Sequence, residues 1–177
     1  MSLIRKGHGG IQLGGTSITE ASATLDTQLK ELAKKLAKEF KGFNKGHSKN
    51  TPLFEGVYSG CVPDGGLWLD GKGKVRVAIE GKVQGNHGNA QERHAKNLLI
   101  CHANRSELGF RYVTFMAGEG AISNGVLDQY AKTILQCMNP EGQRSTNVIH
   151  PNGVSFFLNP LGWSKDSIEK LMREALQ

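Results

Sequence analysis

The order of the predicted helices and strands constrains the fold of this chain more than any other feature of its sequence. One helical pattern comes first, a group of short strand patterns follows, and helices then alternate with strands. The predicted helices cover residues 20–41, 89–104, 126–138 and 165–176. The predicted strands cover residues 54–62, 67–69, 74–82, 110–116 and 154–158. Because strands interleaved with helices favour a mixed sheet, we predict an α/β fold with helices on both faces of a mixed β-sheet.

Hydrophobic periodicity supports the first helix and the third strand. Along residues 20–41 large apolar side chains recur every three or four positions, at Leu25, Leu29, Leu32, Leu36 and Phe40. Lysines occupy the opposite side of this helix, and we interpret them as a solvated face. The stretch 42–50 then ends the helix. In the third strand apolar and polar residues alternate, and Asp70-Gly71-Lys72-Gly73 before it predicts a hairpin turn.

The domain organisation is predicted from the length of the whole chain and from the composition of its first residues. The chain has 177 residues, a length typical of one domain, and we assign residues 20–177 to a single domain. Residues 1–19 are rich in glycine, serine and threonine and predict a flexible N-terminal arm. Two interpretations of this arm stay open: a disordered tail, or an arm that becomes ordered around a nucleic acid.

Net charge suggests the kind of partner, and the cysteine content limits the kinds of site that the chain can form. The formal net charge of +6 suits a polyanionic partner. The three cysteines form no Cys-x-x-Cys pair, which argues against zinc and redox centres. No long apolar run and no secretory signal pattern occur, so we expect a soluble, cytoplasmic protein without a membrane partner.

Two acids and a lysine predict a metal site. Asp64 follows Pro63 at a predicted turn. Glu80 and Lys82 lie two residues apart at the end of a strand, so the side chains of these two residues project from the same face. Carboxylate oxygens suit Mg²⁺, and a lysine beside them can stabilise charge on a phosphate or orient an attacking water. Gly81 lies inside this strand, where glycine lowers stability unless another group approaches closely.

A polar segment follows the strand that carries this pattern. Its candidate DNA-binding residues are Gln84, Gly88, Asn89, Ala90, Glu92, Arg93, Lys96 and Asn97. Amide and guanidinium side chains are the groups that bind base edges in the major groove. An ordinary glycine-rich loop that leads into a helix, with Asn89 as its N-cap, explains the same composition.

Short sequence motifs in this region resemble those of the EcoRI family of type II restriction endonucleases, within the PD-(D/E)xK superfamily. The matching phrases, spread over about a third of the chain, are Pro63-Asp64-Gly65-Gly66, Glu80-x-Lys82-x-Gln84-Gly85, Gly88-Asn89-Ala90-x-Glu92-Arg93, Lys96-Asn97 and Tyr112-Val113-x-Phe115. Their serial order also agrees with the family. The resemblance implies a restriction-endonuclease-like core, a homodimer, Mg²⁺, and cleavage of both strands of a short palindromic DNA site. It also implies a bacterial, archaeal or phage origin.

The resemblance further implies a role for each matching residue. Asp64, Glu80 and Lys82 would be the catalytic set, with Asp64, Glu80 and the main chain of Gly81 at the metal. Asn89, Ala90 and Arg93 would contact bases at an A·T-rich centre of the DNA site. Glu92 would help to hold the recognition arginine.

The chain also departs from the family. It is shorter than the founding member, and it has no clear equivalent of the arginines that contact the outer base pair. A repair or junction-resolving nuclease of the same fold, and a DNA-binding module without activity, are alternative interpretations.

Overall fold

The structure is a computed structural model of the chain. It describes residues 12–13, 16–40, 44–46, 63–73, 75–83, 110–118, 126–138 and 145–177. The helices are α1 (Ile18–Glu39), α2 (Val126–Met138) and α3 (Lys165–Ala175). The strands are β1 (Gln12–Leu13), β2 (Thr16–Ser17), β3 (Asn44–Gly46), β4 (Gly66–Leu69), β5 (Val75–Val83), β6 (Arg111–Ala117) and β7 (Gly153–Leu158).

A mixed sheet of five strands forms the centre of the described fold. Its order is β3-β4-β5-β6-β7, and β1 pairs with β2 in a separate ribbon. The pairs β3–β4 and β4–β5 are antiparallel, whereas β5–β6 and β6–β7 are parallel. The carboxyl ends of β5, β6 and β7 therefore lie side by side along one edge of the sheet, the edge that runs across the strand ends. The start of β4 lies on that same edge, because β4 is antiparallel to β5.

One face of the sheet is covered by α1 and α3. The α1 leucines that recur every three or four positions are buried here, together with Val77 and Ile79 of β5 and Ile168 and Met172 of α3. Complete burial of a leucine stabilises a fold by roughly 1.5–3 kcal/mol, so this periodic stripe fixes α1 against β5. Phe115, Phe157 and Trp163 pack as an aromatic group on the same face, with ring centroids 5.3–6.5 Å apart.

The other face of the sheet packs against α2. Ala131, Leu135 and Met138 of this helix are buried with alternate residues of the strands, among them Ala78 and Tyr112. Since helices lie on both faces of a mixed sheet, the predicted α/β architecture is confirmed at this level.

Ion pairs also join α1 to α3 on the surface. The three pairs, each between one α1 side chain and one α3 side chain, are Glu31–Lys165 at 2.6 Å, Lys35–Glu169 at 2.8 Å and Glu39–Arg173 at 2.7 Å. Exposed pairs of this kind contribute little stability each, but they fix which side of α1 faces α3.

Most of the predicted elements that the structure describes are confirmed within two residues. Ser164 caps α3 as predicted: its hydroxyl accepts a hydrogen bond from the Ser167 amide. The hairpin before β5 is also confirmed, with the Gly73 amide donating to the Asp70 carbonyl at 2.9 Å. The segment 42–50 was expected only to break the helix, but residues Asn44–Gly46 in it form β3. The predicted strand 54–62 and helix 89–104 lie outside the described residues.

Two further expectations concern the N-terminus and membranes. Within the predicted arm, β1 and β2 pair with each other, and α1 begins at Ile18 rather than at residue 20. No helix in the described ranges is long and apolar enough to cross a membrane.

Candidate active site

A tight turn positions Asp64 at the edge of the sheet. The Gly66 amide donates to the Pro63 carbonyl at 2.9 Å, which closes a β-turn with Asp64 at its second position. Gly66 has a φ of 90°, which favours glycine. The Gly65 amide donates to the Ile79 carbonyl at 2.9 Å, and a Cβ on Gly65 would lie 2.5 Å from Ile79 Cγ2. The glycines therefore allow the turn to approach β5 closely beside Glu80.

Glu80 and Lys82 project together from the end of β5, as predicted. Lys82 Nζ lies 2.8 Å from Glu80 Oε1. The Glu80 side chain is only 8% exposed, whereas the Lys82 side chain is 28% exposed, so the lysine faces the solvent side of the pair. Ile79 and Gly81 face α1 on the opposite side, which confirms the predicted alternation. The Asp64 carboxyl lies near enough to the carboxyl of Glu80 to raise the pKa of Glu80, although less than burial does.

Helix α1 adds two residues that the sequence did not identify. The Asp26 carboxyl lies near the Asp64 carboxyl, and it interacts with the charges of Asp64 and Lys82. Lys30 Nζ lies 4.0 Å from Asp64 Oδ1. Three carboxyl groups and two amines thus share one edge of the sheet. Four-residue spacing between Asp26 and Lys30 is the only signal in the sequence, and it is common on solvated helices.

The acids Asp26, Asp64 and Glu80, with Lys82 beside them, form a cluster of charged groups. Burial and the neighbouring charges determine which of its groups carry protons. Burial raises the pKa of Glu80 to about 8, and Asp64 adds to the rise while Lys82 opposes it. Burial and the neighbouring Asp64 also raise the pKa of Asp26. Burial works against the charge on Lys82, but Glu80, Asp64 and Asp26 together raise its pKa. Lys82 is therefore an ammonium ion at neutral pH, which suits charge stabilisation rather than proton abstraction.

A buried hydroxyl lies on the strand next to Glu80. Thr114 of β6 is aligned with Glu80 in the parallel β5–β6 pair, so the two side chains project from the same face. Thr114 is completely buried, and its Oγ1 has no hydrogen-bond partner among the residues that the structure describes. Buried hydroxyls usually have a partner, so this atom marks an incomplete polar environment beside the acids.

Close packing of α1 explains the glycine at position 81. A Cβ on Gly81 would lie 2.6 Å from Leu29 Cδ1 and 3.1 Å from Leu25 Cγ. The absence of a side chain at position 81 therefore leaves room for these leucines against β5. An alanine here would force these leucine side chains to move.

The donor chemistry of the cluster fits a hard divalent cation. In the described part of the chain, no three His, Cys, Asp or Glu side chains already form a metal-binding group. The acids contact each other instead, an arrangement that is unfavourable when they are ionised. Carboxylate oxygens are the ligands that Mg²⁺ prefers, and a cation between Asp64 and Glu80 would relieve their repulsion.

The predicted DNA-binding residues lie outside the described part of the chain. These are Gln84, Gly88, Asn89, Ala90, Glu92, Arg93, Lys96 and Asn97. They stay predictions, and so does the contribution of the Gly81 main chain to a metal.

Comparison of the chain with models of known protein families, with curated proteins and with solved structures returned no match.

Proposed function

We propose that the protein is a Mg²⁺-dependent endonuclease that cuts both strands of double-stranded DNA at a specific short palindromic site. The observation that carries this proposal is the convergence of Asp64, Glu80 and Lys82 at one edge of the sheet. Two acids with a charged lysine at contact distance form a combination suited to phosphodiester hydrolysis. The sequence resemblance to the EcoRI family supports the type of nuclease, together with a restriction-endonuclease-like core.

In this proposal Asp64 and Glu80 hold the metal, with the Gly81 carbonyl as a further donor. Asp26 adds a third carboxylate beside them. The chemistry that Mg²⁺ supplies when bound is Lewis-acid polarisation of the phosphodiester. Glu80 is fixed by burial and Asp64 by its turn, so both acids are held in place before DNA arrives.

Lys82 stabilises the additional negative charge that develops on the attacked phosphate. Its ammonium group is anchored on Glu80 at 2.8 Å and remains partly exposed, so it can reach a phosphate at the sheet edge. Because the group is held in place before the reaction, it needs little reorganisation in the transition state.

The proposed partners are duplex DNA and a second copy of the chain. Two-fold symmetry of a homodimer matches the two-fold symmetry of a palindrome, so each protomer would cut one strand. An enzyme of this kind would act in the cytoplasm of a bacterium or archaeon.

The experiment is a cleavage assay on plasmid DNA with and without Mg²⁺. The wild type should produce discrete fragments only with Mg²⁺. Lys82→Ala and Asp64→Ala should each lower the cleavage rate by at least about 10²-fold while the protein still binds duplex. Lys72→Ala, which removes an exposed lysine from the β4–β5 hairpin at the far end of the sheet, is the matched control and should cut normally.

Three outcomes would change this assignment. Retained cleavage in purified Lys82→Ala or Asp64→Ala protein would refute the roles of these residues. Preferential cutting of branched DNA over linear duplexes would favour a repair or junction-resolving nuclease. Binding without any cutting by the wild type would favour a DNA-binding module.

A further inference from the structure

Helix α1 has two adjacent surfaces that differ in charge, and both run along the helix. On the side that faces α3, Glu31 and Glu39 each form an ion pair with a cation of that helix. These acids therefore offer little negative charge to a partner. The neighbouring side of α1 is occupied by lysines.

The second surface is the lysine stripe, which consists of Lys30, Lys34 and Lys38. All three side chains are exposed, and Lys30 is 60% exposed. Four-residue steps place successive members about 6 Å apart along the helix axis and about 40° apart around it. The stripe begins next to the candidate active site, because Lys30 Nζ lies 4.0 Å from Asp64 Oδ1.

We propose that the lysine stripe binds the phosphate backbone of the duplex on one side of the scissile phosphate. This inference rests on the proposed function, since it takes the cleaved strand to pass the edge that carries Asp64. Lysines at steps of about 6 Å, each with a long flexible side chain, can reach successive phosphates of one strand. The stripe has no role in the chemical step.

The position of the stripe favours DNA over an acidic protein. An acidic protein partner would not need the stripe to begin at a cluster of carboxylates, whereas a phosphodiester substrate must pass that cluster. The solvated face expected from the sequence is the other interpretation, and it predicts that the lysines can be removed without effect on binding.

The test compares the Lys34→Ala/Lys38→Ala double variant with the wild type and with Lys72→Ala. Lys30 is retained because it lies beside Asp64. Binding of a short fluorescent duplex is measured by anisotropy with EDTA, so that no cleavage occurs, at salt concentrations from about 50 to about 200 mM. Far-ultraviolet circular dichroism confirms that the variants are folded, and Mg²⁺-dependent cleavage is measured in parallel.

We expect the double variant to bind roughly tenfold more weakly, and the slope of log Kd against log salt to fall by about 2. Lys72→Ala should match the wild type in both. At DNA concentrations below the wild-type Kd the double variant should also cut roughly tenfold more slowly, because less of it carries DNA.

The outcomes separate this inference from the proposed function. Equal affinity and equal salt slope in the double variant and Lys72→Ala would overturn the inference even if the wild type cuts DNA. Loss of salt-dependent binding in the double variant, with a wild type that binds but never cuts, would support the stripe and refute the nuclease. A wild type that does not bind duplex at all would overturn both.

Discussion

The buried carboxyl of Glu80 makes the stability of the metal-free protein depend on pH. The pKa of Glu80 in the folded protein is raised from 4.5 to about 8, first by burial and then by Asp64. The folded state therefore holds a proton on Glu80 at pH values where the unfolded chain has lost it. Stability from this group is fully present below about pH 4.5, and it is lost as the pH rises toward 8.

The size of the effect follows from the shift in pKa. Each pKa unit corresponds to about 1.4 kcal/mol, so the complete titration is worth at most roughly 5 kcal/mol. About 2 kcal/mol of this falls between pH 5 and pH 7. Glu80→Gln removes the titrating group but keeps its shape. The free energy of unfolding of this variant should therefore rise relative to the wild type by about 2 kcal/mol between pH 5 and pH 7.

The assay is urea unfolding in EDTA, followed by tryptophan fluorescence. Trp68 is completely buried and Trp163 packs on the same core, so both report on the face covered by α1. The control is Glu169→Gln on α3, because hydrogen bonds from Lys35 and Arg173 lower the pKa of Glu169. Its stability difference from the wild type should stay constant over this range. A constant difference for Glu80→Gln as well would refute the raised pKa.

Three further variants test other parts of the site. Asp26→Asn should reduce the increase in melting temperature that Mg²⁺ gives the wild type, measured by differential scanning fluorimetry; an unchanged increase would exclude Asp26 from the metal environment. Gly81→Ala should destabilise the fold by about 1–2 kcal/mol, because its methyl group meets Leu29. The loss should be smaller when Leu29 is already alanine, as a double-mutant cycle measures, and additive losses would argue against the contact. Thr114→Val should raise the free energy of unfolding by about 1 kcal/mol, since it removes a buried hydroxyl that has no partner in the described part of the chain. A loss of stability would mean that the hydroxyl is satisfied.

The sequence predicted the elements whose side chains repeat with the period of their own backbone. The leucines of α1 repeat every three or four residues and the apolar residues of β5 every two, and both patterns appear as buried faces. No strand was predicted at β3, where Asn44-Lys45-Gly46 has no strand-like composition. These residues form a strand because β4 presents an open edge to pair with, and pairing of this kind depends on tertiary context rather than on local preference.

The candidate site was predicted where its residues are close in sequence and missed where they are not. Glu80 and Lys82 follow from strand alternation, and Asp64 follows from a proline–glycine turn at the start of the partner strand. Asp26 belongs to a helix whose distance from β5 no sequence pattern specifies. Many solvent-exposed acids also lie on a helix beside the core and have a lysine four residues later. This context therefore does not distinguish Asp26 from them.

Gly81 is the residue that connects Asp26 to the site. Because it has no side chain, Leu25 and Leu29 can approach the main chain of β5 within contact distance. The helix is then near enough for Asp26, which lies between these two leucines in sequence, to reach the carboxyl of Asp64. A methyl group at position 81 would meet the side chains of Leu29 and Leu25, so the packing of α1 on β5 would have to adjust. The glycine whose carbonyl we propose as a metal donor therefore also allows the close packing of the helix that carries Asp26.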